Sequence, residues 1–184
     1  MTLLDRLLRR RNRFVASLYD EVVAISRRPV LYAELGVPDT LMGRFNSLSL
    51  IMILTLRVLQ GRGPALKAMA QELTDIFFAE TDRGLRQAGV GDQKLPKTMH
   101  KMAGVFYGQL EAYGAALASE GDDARHMALG EVLARNLSEG DADTIRALTD
   151  HVLAVEQSLA ALDDAVFLSG HAPIPEILGE ADEL

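Results

Sequence analysis

The sequence contains no cysteine and no tryptophan, and aromatic residues fill only 5% of its 184 positions. Without cysteine the chain can form no disulfide, offers no thiolate nucleophile and cannot build a cysteine-type zinc site. Apolar residues still make up 48% of the sequence, and a core of Leu, Ala, Val, Ile and Met favours helices over sheet. No segment alternates apolar and polar residues for long enough to predict a strand. We therefore expect an all-α fold in one compact domain.

Positive charge is concentrated at the start of the sequence and negative charge at its end. Residues 1–30 hold seven arginines against three acids, and residues 120–184 hold three arginines against fifteen acids, within a net charge of −7. Such a chain can offer two electrostatically different surfaces, or simply two solvated ends. We accordingly divide it into a basic amphipathic helix at 1–30, a helical domain at 31–170 and an acidic tail at 171–184.

Apolar residues recur at helical spacing in six segments. The predicted helices cover residues 3–26, 41–60, 65–80, 96–119, 124–137 and 141–168. We expect Pro29 to end the first helix, the segment RPVLYAELGVPDT to be an irregular connection, and Asp39 to cap the second helix. The segment ETDRGLRQAGVGD is expected to break the third helix.

The segment at 41–60 is the most apolar part of the chain, but it is a poor membrane span. Its uncharged part runs only from Phe45 to Leu56 and contains two serines and one threonine, whereas a span needs about 20 apolar residues. We predict a helix buried at the centre of a soluble domain. No apolar signal core follows the N-terminal charges, so we expect a cytoplasmic protein.

The segment LRQAGVGDQKLPKTMH, residues 85–100, raises the possibility of a phosphate-binding loop. A P-loop needs a glycine, four residues and then Gly-Lys-Ser/Thr. The dinucleotide fingerprint needs the pattern G-x-G-x-x-G directly after a strand. Neither is present, and Asp92 would repel a phosphate. The chemistry suits a junction instead, because glycine permits unusual backbone angles and Pro96 fits the first turn of the helix that follows.

The helix after this junction is predicted to have two distinct faces. One stripe steps by four and three residues and predicts the core face; its members are Met99, Ala103, Phe106, Leu110, Tyr113 and Leu117. A second stripe is basic at its start and then small, and consists of Lys97, Lys101, Gly104, Gly108, Glu111 and Ala115. Glycines four residues apart let another helix approach closely, either within the fold or from a partner.

Three spaced blocks of sequence give the chain a specific resemblance. The blocks are VPDTLMGRFNSLSLIMILTLRVLQG, ELTDIFFAETDRGLR and LRQAGVGDQKLPKTMHKMAGVFYGQLEAY, in that order. Together they resemble the ubiquinol–cytochrome c chaperone family over about residues 32–136. Two positions depart from the family pattern: Gln109 follows Phe-Tyr-Gly where many relatives have arginine, and Asn46 follows Gly-Arg-Phe where an acid is common.

The resemblance implies a function without catalysis or cofactor, in assembly of the respiratory chain. Family members in mitochondria assemble the cytochrome bc complex, engage newly made cytochrome b, act with a small partner protein and associate with the ribosome. We therefore expect an assembly chaperone, cytoplasmic or peripheral at the inner membrane. The matching residues imply a partner-binding surface and its scaffold, comprising Arg86, Gly89, Gly91, Asp92, Pro96, Lys97, Tyr107, Gly108 and Tyr113. Lys101, one helical turn after Lys97, is added to this surface by its position.

The first helix offers a further surface for a membrane or a ribosome. Its arginines fall on one stripe and its leucines on the other; the stripe contains Arg6, Arg9, Arg10 and Arg13. Such a helix could lie on anionic lipid or touch rRNA phosphates. It could equally be an ordinary docked helix with solvated arginines.

Two other function classes remain as alternatives. A nucleic-acid-binding or other regulatory protein could use the arginine helix, but the chain is acidic overall and shows no clear helix-turn-helix, so we expect no DNA partner. An enzyme could use Asp163 with Asp164, but adjacent carboxylates on a helix point about 100° apart and seldom share a site. The four histidines have no paired spacing, and we predict no metal site.

Overall fold

The computed structural model describes the backbone of residues 3–169 and the side chains of residues 13–169. This part of the chain contains six long helices and two of five residues. They are α1 (Leu3–Ser26), α2 (Pro29–Ala33), α3 (Leu41–Gln60), α4 (Pro64–Gln87), α5 (Leu95–Leu117), α6 (Asp122–Asn136), α7 (Ala142–Ala161) and α8 (Asp164–Leu168). The described residues include no strand, and the all-α prediction is confirmed.

Two predicted helix boundaries are wrong, and the connection after α1 is not wholly irregular. α4 continues to Gln87 rather than ending near residue 80, because its exposed Gly84 is tolerated within a helix and the following Leu85 is buried in the core. The last predicted helix ends at Ala161, and α8 follows after an extended Asp163. Pro29 does not simply stop α1 but occupies the first turn of α2.

The predicted cap of α3 is off by one residue. The N-cap is Thr40, whose Oγ1 accepts a hydrogen bond from the Gly43 N–H at 3.0 Å. Asp39 instead accepts from Arg44 Nε at 2.6 Å, and this hydrogen bond lowers the pKa of the Asp39 carboxyl. Gly43 is required here because a Cβ would lie 1.8 Å from the Pro38 carbonyl oxygen. The block PDTLMGR therefore builds the start of α3.

α3 lies at the centre of the fold and packs against α1, α4, α5 and α7. Every residue from Leu50 to Leu56 is buried, which agrees with the prediction of a central helix. Within the described residues, α3 is the one helix long and apolar enough to cross a membrane, and 61% of its most apolar window is buried inside the protein. That degree of burial is typical of a core helix.

Two contacts far apart in sequence close the fold around α3. The connection between α2 and α3 meets the α6–α7 connection, where Ser138 Oγ donates to the Leu35 carbonyl at 3.1 Å. At the other end of α3, Arg62 donates to the Leu162 carbonyl at 2.6 Å and to the Ala160 carbonyl at 2.8 Å. These hydrogen bonds connect the C-terminal helices α6 and α7 to the two ends of α3.

Candidate partner-binding surfaces

The predicted junction between α4 and α5 is a compact helix-ending turn. Gly89 adopts a φ of +84°, a backbone conformation that favours glycine. The Val90 N–H donates to the Leu85 carbonyl at 3.0 Å, which is the six-to-one hydrogen bond of a Schellman motif. Gly91 does not use a positive φ, and Pro96 lies in the first turn of α5. Of the two glycines, Gly89 makes the turn.

Arg86 fastens this turn to α4. Its Nε donates to Asp82 at 2.8 Å and its Nη1 donates to Asp92 at 2.6 Å. The Arg86 side chain is 52% exposed and that of Asp92 is 88% exposed, so both are also accessible from outside. The structure therefore gives Arg86 and Asp92 a scaffold role that sequence reasoning left open.

The second predicted stripe of α5 lies on the surface. Lys97, Lys101 and Gly108 are exposed, and Gly104 is exposed between them. A Cβ added at either glycine would meet nothing within 4 Å, so no other helix of the described chain uses this close-approach face. Tyr107, beside it, is 54% exposed.

The core face of α5 is displaced by part of a turn from the predicted stripe. Phe106, Tyr113 and Leu117 are buried as expected, whereas Met99, Ala103 and Leu110 are only partly buried. The centre of the face is occupied by other residues, namely Leu95, Met102, Gln109 and Ala116. Counting apolar residues missed Gln109 because a buried amide has no apolar signature.

Tyr113 belongs to the scaffold rather than to a surface. Its side chain is 0% exposed, and burial raises the pKa of its hydroxyl. The hydroxyl has no hydrogen-bond partner among the described residues. Tyr113 cannot touch a partner while the fold is intact.

Aromatic rings connect the core to the exposed Tyr107. The rings of Phe77 and Phe106 have centroids 4.8 Å apart, and Phe78 lies 5.5 Å from Phe106 and 6.0 Å from Tyr107. Phe45 of α3 completes the cluster, 5.8 Å from Phe77. A ring backed by others in this way is a rigid contact point, because little side-chain freedom is left to lose on binding.

A groove between α1, α3 and α4 was not predicted from the sequence. It has a volume of about 660 Å³, and Met102 of α5 also lines it. Its apolar lining comprises Val23, Phe45, Leu48, Ile76 and Leu85, and its charged lining comprises Asp20, Arg27, Arg44, Glu80 and Arg83. The sequence indicated this groove only indirectly, because the first two of the three blocks that carry the family resemblance form its α3 and α4 walls.

The groove continues past two arginines into a second hollow. This hollow has a volume of about 530 Å³ and is lined by Arg27, Arg44, Tyr32 and the α2 residues Pro29 and Ala33, with Asp39. Leu41, at the mouth of the groove, is 56% exposed, and its neighbour Met42 is 40% exposed. The start of α3 thus presents apolar side chains beside basic ones.

Only one arginine of the predicted α1 stripe has a described side chain. Arg13 is exposed, whereas the side chains of Arg6, Arg9 and Arg10 lie outside the described residues. From Val15 onward the opposite face of α1 is buried against α3 and α4. The membrane or ribosome surface remains a prediction.

No arrangement typical of catalysis or metal binding stands out in the described range. Among its residues, no group of three or more His, Asp or Glu side chains could hold a metal ion. His126 contacts Asp150 at 2.9 Å across α6 and α7, a pairing of two surface groups. His151 is buried, and burial together with nearby Arg28 lowers its pKa.

Comparisons with known proteins agree with the blocks noted in the sequence. The family described as ubiquinol-cytochrome C chaperone matches residues 33–174. The crystal structure of the Cbp3 homolog from Brucella abortus is similar, with 38% identity and a TM-score of 0.78 over 91% of this chain and 92% of that chain. No curated protein matches the sequence.

Proposed function

Because the chain belongs to the ubiquinol–cytochrome c chaperone family, we propose that it assists assembly of ubiquinol–cytochrome c reductase by binding newly made cytochrome b or a partner assembly protein. In this proposal it acts without catalysis, as a cytoplasmic protein that meets the inner membrane peripherally. Family membership supports the process, and the surface of α5 supports the mode of binding.

The observation that carries the proposal is the unoccupied close-approach face of α5. Gly104 and Gly108 leave the helix backbone open to solvent, a device that normally lets a second helix pack against the first. Tyr107 projects beside them on an aromatic support. Lys97 and Lys101 extend the same face toward the start of the helix. A client or partner helix with acidic residues at one end would complement it.

A pull-down from gently solubilised membranes tests the proposal. Tagged wild type is compared with Lys97→Glu/Lys101→Glu, and the control is Lys67→Glu/Arg135→Glu, which makes the same charge change at two exposed positions elsewhere. We expect cytochrome b or an assembly partner with wild type and control, and its loss with the first variant. Recovery with all three proteins would remove the α5 face from the proposal, and recovery with none would contradict the proposed function.

A further inference from the structure

The groove between α1, α3 and α4 has the length of a short helix. Its lining runs from Ala16 on α1 to Arg27, the residue directly after α1, and from Ile76 to Gln87 on α4. Eleven steps at the helical rise of 1.5 Å give about 16 Å, or three turns. Three helices that line an apolar groove make a candidate helix-in-groove site, and the lining side chains Phe45 and Leu85 are only 5% and 3% exposed.

The charged residues that line the groove include both signs, and Glu80 is paired with Arg83 at 2.8 Å. Arg27 and Arg44 lie together at one end, because both also border the second hollow. Asp20 and Glu80 lie near Tyr19: burial is the main cause that raises the pKa of Tyr19 to about 12, Glu80 and Asp20 act in the same direction, and Arg27 opposes them. Arg27 has no ion-pair partner among the described residues, whereas Arg44 is paired with Asp39. One end of the groove therefore has an available cation.

We propose that this groove binds an amphipathic helix of about three turns, supplied by a partner protein, with an acidic side chain at the end that meets Arg27. The apolar stripe of that helix covers Phe45, Leu48 and Ile76, and Leu41 closes the mouth over it. An anionic lipid fits less well, because its headgroup would meet the Asp20 carboxylate as well as Arg27, and Glu80 already pairs with Arg83. This site is separate from the α5 face of the proposed function.

Gly84 provides a direct way to fill the groove. It lines the groove, and a Cβ added there would meet nothing within 4 Å. A Gly84→Leu side chain can therefore occupy the open space without disturbing the core, and leucine favours the helix more than glycine does. Ala134→Leu on α6 is the matched control, because Ala134 is also helical and exposed and belongs to neither the groove nor the α5 face.

The experiment places a photoreactive benzophenone amino acid at Gln87, an exposed residue of the groove wall, in the full chain within cells that make it naturally. Cross-linked peptides are sequenced by mass spectrometry. We expect one with apolar residues at helical spacing and an acid at one end. Its yield should fall about tenfold or more with Gly84→Leu, as expected for overpacking a site, and should be unchanged with Ala134→Leu.

Charge reversal gives a second readout. Arg27→Glu should also reduce the cross-link, whereas Arg135→Glu, an equal change on α6, should not. The proposal is overturned if the cross-link survives Gly84→Leu, or if the product is a lipid, another copy of this chain or a peptide without helical patterning. Capture of cytochrome b by wild type is measured in parallel, so that failure of the proposed function is seen separately from failure of the groove.

Discussion

Gln109 Nε2 donates a hydrogen bond to Asn46 Oδ1 at 3.1 Å, joining α5 to α3. These are the two positions noted above as departures from the family pattern, where arginine and an acid are common. Asn46 Nδ2 in turn donates to the Asn136 carbonyl at 2.8 Å. The two departures are therefore coupled in space: this chain places a neutral amide pair where the family pattern suggests an ion pair.

This coupling predicts the outcome of restoring the charges. Gln109 is 3% exposed, so Gln109→Arg alone should bury an unpaired guanidinium and cost about 3–5 kcal/mol of unfolding free energy. Adding Asn46→Asp should recover most of that loss. Urea unfolding of the two single variants and the double variant measures the coupling, and a double variant no more stable than Gln109→Arg would refute the pairing.

Gly36 should be far less replaceable than Gly89, although both have a positive φ. The φ values are +70° and +84°, but a Cβ at Gly36 would lie 2.6 Å from Ser138 Oγ, whereas one at Gly89 would meet nothing within 4 Å. Backbone strain alone costs about 1–3 kcal/mol. We expect Gly89→Ala to show that cost and Gly36→Ala to exceed it, as measured by urea unfolding. If both variants lost the same free energy of unfolding, the Ser138 side chain would be able to move away from the added Cβ at little cost.

Arg62 should control the docking of α8. Besides two carbonyls it binds Asp164 Oδ1 at 2.8 Å, and its guanidinium lies 5.2 Å from the Phe167 ring centre. The single ammonium group of lysine cannot reproduce the several directed hydrogen bonds of the planar guanidinium. We therefore expect Arg62→Lys to lower the free energy of unfolding by about 1.5–3 kcal/mol. Hydrogen exchange should accelerate selectively at residues 160–168. Arg83→Lys, at a surface pair, is the control, and uniform acceleration across the chain would contradict a local role for Arg62.

His151 should make the fold sensitive to mild acid. It is 2% exposed, and neither ring nitrogen has a hydrogen-bond partner in the described structure. Its folded pKa is lowered from 6.5, so near pH 6 the unfolded chain binds more protons and stability rises with pH. The contribution is complete above pH 6.5 and is lost as the pH falls toward the folded pKa.

Urea unfolding at several pH values between 5 and 7.5 measures the predicted effect of His151 on stability. Replacing the imidazole by a group that does not titrate, as in His151→Leu, should flatten the pH dependence of the unfolding free energy. His100→Leu, at an exposed position, should leave that dependence as in wild type. A steep dependence that persists in His151→Leu would assign the acid sensitivity to other groups.

The sequence was most informative where apolar periodicity and family blocks coincide. It predicted the central position of α3 and the grouping of Lys97, Lys101 and Gly108 on one stripe of α5, because both follow from local spacing. Whether that stripe packs within the fold or faces a partner was left open by the sequence. It could not predict the partner of Gln109 or the contact at Gly36, since each is 63 or more residues away along the chain. The groove escaped prediction for the same reason: three separate helices form its walls.

The contact between Ser138 and Leu35 joins residues 103 apart in the chain, and the contact between Arg62 and Leu162 joins residues 100 apart. α3 is made early during synthesis, whereas the α7 residues that cover one of its sides are made much later. Because these contacts join residues about 100 positions apart, the core cannot be completed until nearly the whole chain is available. During translation, the most apolar helix of this protein must remain partly uncovered, so the protein itself passes through a stage in which another molecule could usefully shield it.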